Sequence, residues 1–97
     1  MESMISEHSY FVACKDLLAC DLAGEAVILD SKSGLYYSLD PVGARIWNLL
    51  QSETTIHKLV DTILEEYEVE RERCESDIQK LLKDLAVKDL IKIRQGT

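Results

Sequence analysis

Proline is almost absent from this 97-residue chain, with one residue, Pro41, near its middle. Glycine is scarce as well. Its four residues are scattered and build none of the glycine-rich loops that cradle phosphates. Three cysteines, Cys14, Cys20 and Cys74, make an odd count without a C-x-x-C pair, far in sequence from His8 and His57. That argues against a disulfide framework or a zinc site and for thiols that pack in a reducing compartment. No serine sits in a G-x-S-x-G elbow, no H-x-x-x-H spacing occurs, and neither histidine has an evident nucleophile partner. An enzyme or metal protein built on Cys14, Cys20 and His8 would rest on residue types alone. No apolar run approaches the roughly 18 residues of a membrane span. The opening "MESMISEHSY" lacks the basic region of a signal peptide, so a cytoplasmic protein without membrane attachment is expected.

Positive charge is also in short supply. Eighteen acids stand against eleven bases, a net charge of −7. Residues 1–40 hold seven acids and two bases, and only from Arg71 onward do bases outnumber acids, seven to five. Such a chain repels a phosphate backbone, which weakens a nucleic-acid function. Its 46% apolar content and its length suit one domain, 1–97, with one modest core and an ordered part over about 9–93.

The pattern along the chain reads strands first, helices after. "YFVAC" (10–14) and "LLACDL" (17–22) are apolar stretches that form two strands or one bent strand. "EAVILD" (25–30) is a clearer strand, "SKSG" (31–34) a turn, and "LYYSL" (35–39) the returning strand. Alternation places Leu35, Tyr37 and Leu39 on one face and Tyr36 and Ser38 on the other. Asp40 then suits an N-cap and Pro41 the first helical position. Three helices follow, over about 41–51, 55–67 and 71–88, with apolar stripes that include Ile46 and Trp47, then Leu59 and Ile63, then Ile78 and Leu82. "LIKI" (90–93) is a short strand or an extended tail. Glu65 and Glu66 read as a solvated face and His57 as a surface residue.

The predicted fold is therefore α+β and winged helix-turn-helix-like, a three-stranded antiparallel sheet followed by three helices that cover one of its faces. A sheet this small has exposed edges, and an edge strand is a template for an added strand. If the third helix lies along the edge strand 35–39, the two make a groove for an extended peptide. A winged-helix DNA-binding regulator is the alternative. It needs a basic recognition surface, which the charge of −7 opposes. An exposed edge can also pair with a second copy, which makes a homodimer an open expectation.

The stretch "GEAVILDSKSGLYYSLDPVGARIWNLL" resembles the PqqD-like family, or RiPP recognition elements, small proteins that bind the leader segment of ribosomally made peptide precursors. The matching residues are Gly24, Leu29-Asp30, Gly34, Tyr36-Tyr37, Leu39-Asp40, Gly43 and Ile46-Trp47. The resemblance extends over about 17–93, with Asp40 in place of the usual Asn and Arg71 where a Pro is usual. It implies a non-enzymatic protein without cofactor or metal that holds the leader as a strand beside 35–39 and against the third helix. On this sequence, the peptide-binding residues would be Leu35, Tyr36, Tyr37, Ser38, Asp77, Lys80, Leu81 and Asp84. The implied partners are a precursor peptide and a maturation enzyme, either a leader peptidase, as for lasso peptides, or a radical SAM enzyme, with a lean to the lasso type.

Overall fold

The computed structural model describes residues 8–15, 17–22 and 25–95. The start of the chain, Asp16 and Gly24 lie outside them. Eight elements follow one another: β1 (Ser9–Ala13), β2 (Leu17–Leu22), β3 (Glu25–Asp30), β4 (Leu35–Leu39), α1 (Pro41–Leu49), α2 (Ile56–Glu66), α3 (Arg71–Val87) and β5 (Ile91–Gln95). The two early apolar stretches are thus separate strands, and "LIKI" opens a fifth.

The strands form two sheets. An antiparallel meander, β2-β3-β4, has β3 at its centre, and β1 pairs antiparallel with β5 in a two-stranded ribbon. The sequence pattern contains the first sheet and not the second, because the partners in the ribbon stand at opposite ends of the chain, with Phe11 opposite Ile93. β1 is fixed by more than β5. Phe11 and Thr54 exchange main-chain hydrogen bonds at 2.8 and 2.9 Å, and the Ala13 N–H donates to the Leu50 carbonyl at 2.8 Å. One strand therefore ties the end of α1, the α1–α2 loop and the C-terminal ribbon together.

Register sorts the meander into faces. Ala19, Ile28 and Tyr37 stand opposite one another, as do Leu18, Leu29 and Tyr36. Ile28 is fully buried, so the first row faces the helices. Ile46, Trp47 and Leu50 from α1 and its end, Leu59 and Ile63 from α2, and Ile78, Leu82 and Leu85 from α3 complete one core with Phe11 and Leu39. The apolar stripes read from the sequence supply these residues. Cys74 belongs to the core, whereas Cys20 is exposed and does not fill a packing role.

α3 ends by a device absent from the sequence pattern. Asp89 adopts φ 59°, its N–H donates to the Ala86 carbonyl at 3.0 Å, and the Leu90 N–H donates to the Leu85 carbonyl at 2.9 Å. This is a Schellman close with aspartate where glycine is usual. Leu85 and Leu90 are both buried beneath it, which turns the chain back into β5. Arg94 of β5 then donates two hydrogen bonds of 2.9 Å to Glu53, and its guanidinium lies 4.4 Å from the Tyr10 ring centroid.

Both closures can be checked by their effect on stability. Asp89→Gly relieves the left-handed strain and raises unfolding free energy by about 1 kcal/mol in urea titrations. The bonds from Arg94 hold the Glu53 carboxyl below its ordinary range. A depressed folded value gives stability that is present above the unfolded carboxylate value and lost as pH falls through the folded one. Glu53→Gln accordingly lowers the urea midpoint near neutral pH, and the gap to the wild type closes on acidification to about pH 3.

Candidate peptide-binding groove

β4 pairs with β3 on one side only, so among the described residues its other edge has no strand beside it. Every second N–H and C=O along that edge points away from β3. The strand is held in place at both ends. At its start, Gly34 takes φ 75°, and its N–H donates to the Asp30 carbonyl at 2.8 Å, closing the hairpin. At its end, the chain enters α1 with one residue between. Asp40 accepts the Gly43 N–H at 2.7 Å, and Pro41 occupies the first turn. A Cβ on Gly43 would stand 3.2 Å from both Asp40 Oδ1 and Leu39 Cδ2, so this tight corner favours glycine.

Below the free edge lies a groove of about 370 Å³. β4 forms one wall with Tyr37, Ser38 and Leu39, and α3 forms the other with Cys74, Asp77, Ile78 and Leu81. Val42 and Ile46 of α1 and Ile63 of α2 make an apolar floor, while Arg73 stands at the rim with Asp77. The ion pair between these two, 3.9 Å apart and exposed, adds little energy. Further along, the Tyr37 hydroxyl reaches Asp84 at 3.4 Å and the Lys88 ammonium lies 5.7 Å from the Tyr37 ring centroid. Burial first, and the Asp84 carboxylate second, push the Tyr37 hydroxyl above the ordinary phenol range. Burial likewise raises the Cys74 thiol, which keeps it protonated and a poor nucleophile.

The eight residues expected to contact a peptide are placed unevenly. Tyr37, Ser38, Asp77 and Leu81 line the groove together. Asp84 joins them through Tyr37. Leu35 and Tyr36 are exposed on β4 and Lys80 is exposed on α3, none of them in the groove wall. The floor residues Val42, Ile46 and Ile63 read as core from their periodicity. No pattern in the sequence shows that α1 and α2 converge under the β4 edge. A second hollow, of about 480 Å³, lies beside β2 with Leu17, Ala19 and Trp47 in its lining and takes no part of β4 or α3. Among the described residues no group of three or more His, Cys, Asp or Glu side chains is arranged to hold a metal ion. No helix among them is long and apolar enough to cross a membrane.

Comparison with known proteins agrees with this architecture. The model of the family described as coenzyme PQQ synthesis protein D (PqqD) matches residues 25–91, more than half of the chain. The solved structure described as TbiB1 in complex with the TbiA(beta) leader peptide is 34% identical. It superposes with a TM-score of 0.75 over 84% of this chain and 94% of that one. A lasso peptide synthetase B1 complexed with the leader peptide is 27% identical, with a TM-score of 0.74 over 84% of this chain and 96% of that one. No curated protein matches. With its β2-β3-β4 meander, its three helices and the matched span from β3 to β5, the chain belongs to the PqqD family.

Proposed function

We propose that this protein binds the leader segment of a ribosomally made precursor peptide as a fourth strand on the free edge of β4. The observation that carries this reading is the unpaired edge of β4 opening directly onto an apolar groove against α3. Main-chain hydrogen bonds along the edge hold an extended segment of almost any sequence, and pockets for alternate side chains select among segments. The two solved relatives, each described with a leader peptide bound, support the same assignment. Of the eight contact residues, Tyr37, Ser38, Asp77 and Leu81 would shape the groove that takes guest side chains. Leu35, Tyr36, Lys80 and Asp84 would flank it.

Binding, with no chemistry by the chain itself, is then the whole task. Held as a strand, the leader brings its attached core peptide to a separate maturation enzyme at high effective concentration. In this reading the chain is one leader-binding domain working in the cytoplasm. The enzyme is a leader peptidase or a radical SAM enzyme, and the resemblance to lasso peptide proteins favours the peptidase.

The test is a titration with the leader peptide encoded beside this chain. Amide signals of residues 35–38 and of α3 are expected to shift together. A leader that leaves both unmoved removes the proposal. Leu81→Asp puts a charge into the apolar groove and is expected to weaken leader binding at least about tenfold with the fold intact by circular dichroism. Lys80→Ala removes only an exposed flanking contact and is expected to change the affinity less than about threefold by calorimetry.

A further inference from the structure

The wall that α3 turns to the β4 edge is charged in a fixed order. Arg73, Asp77 and Leu81 line the groove, and Asp84 and Lys88 follow where both reach Tyr37. Steps of four, four, three and four residues keep all five on one side of the helix and its end. Along α3 the stripe runs cation, acid, apolar, acid, cation, the same from either end. Its acids are only loosely engaged. Asp77 stands 3.9 Å from Arg73 with its side chain 63% exposed, and Asp84 meets the Tyr37 hydroxyl at 3.4 Å. A carboxylate accepts several hydrogen bonds, so both keep capacity for a guest.

A guest strand turns alternate side chains toward α3, so it meets the stripe at even separations. Asp77 and Asp84 stand seven residues apart, a rise of about 10.5 Å along the helix. Two residues of an extended guest span about 6.6 Å, and four span about 13 Å. Four is the nearer match, and the flexible stem of a lysine or arginine absorbs the difference. The guest residue midway then stands opposite Leu81. The outer cations set the register. A guest slid by two positions carries one basic side chain onto Leu81 and the other onto Arg73 or Lys88, where like charges repel.

We infer that the groove selects leaders with the pattern basic-x-apolar-x-basic. The two basic side chains meet Asp77 and Asp84, the apolar one meets Leu81, and Arg73 and Lys88 exclude the neighbouring registers. This inference rests on leader binding at β4 and adds which leaders bind there. Because the stripe reads the same from both ends, the pattern holds for a guest of either direction. Its charge also suits the approach, since a protein of net charge −7 attracts a basic segment.

The test uses the leader encoded beside this chain, with affinities from calorimetry. That leader is expected to contain the pattern. Changing both of its basic residues to glutamate, or moving both by two positions, is expected to weaken binding at least about tenfold. The protein variant Asp77→Lys with Asp84→Lys is expected to reverse the order and bind the glutamate leader more tightly than the native one. Damage to the fold gives no such gain. The milder pair Asp77→Asn with Asp84→Asn decides the matter if the lysines unsettle the fold, and is expected to bind the two leaders within about threefold of each other. A leader that shifts the amides of 35–38 and α3 without carrying the pattern overturns the inference. So does either variant that keeps the full native preference. A leader that leaves those amides unmoved is a separate result, which removes the reading at β4 and this inference with it.

Discussion

The corner at Asp40 is the constraint on which the rest depends. A strand runs into a helix with a single residue between, and the turn closes through a 2.7 Å hydrogen bond from the Gly43 N–H to the Asp40 side chain. Helix N-termini leave main-chain donors without partners, and an aspartate at this position satisfies one of them. The tight closure brings α1 directly under β4, so Val42 and Ile46 become the floor of a groove whose wall is Tyr37, Ser38 and Leu39. A longer loop would let the helix swing away from the strand. The floor would then separate from the edge that it serves, and Ile46 would leave the core with it.

That corner is legible in the amino-acid sequence alone. Asp40 and Pro41 announce a cap, Gly34 a turn, and the alternation of Leu35, Tyr37 and Leu39 a strand with one buried side. Local chemistry decides all three, within a few residues. The β1–β5 ribbon is not legible, since Phe11 meets Ile93 across almost the whole chain and neither segment carries a signal of its partner. The close at Asp89 is hidden for another reason, because sequence patterns expect glycine at a left-handed position. The groove itself is half legible. Edge and helix can be named, but which residues of α3 face the edge depends on helix rotation, and that is set by the packing of Ile78, Leu82 and Leu85. Asp77 and Leu81 fall on the groove side of that packing, and Lys80 does not.

The groove also shows how one side chain can belong to two systems. Tyr37 shares its face with Ile28 and packs against the core, yet its hydroxyl reaches Asp84 on α3. The 3.4 Å separation makes this a weak hydrogen bond. The contact links the β4 wall of the groove to α3 at Asp84. Hydrophobic packing supplies the energy, and the polar tip supplies direction.

An unpaired strand edge invites the wrong partner as readily as the right one, and proteins usually blunt such edges with lysine, proline or a bulge. Neither edge of this meander does so. β4 reads Leu-Tyr-Tyr-Ser-Leu and β2 opens Leu-Leu-Ala-Cys, without proline or a positive charge. The protection instead comes from the molecule as a whole. A net charge of −7 on 97 residues repels other copies at long range, whichever edge approaches first. Long-range repulsion of this kind falls on like-charged copies and spares a neutral or basic peptide. An edge left open for a guest can therefore stay free of gatekeeping side chains, which would block the guest as surely as they block a copy. The acidic excess and the bare edge are in that sense one design, with the charge discriminating at a distance and the main chain binding at contact.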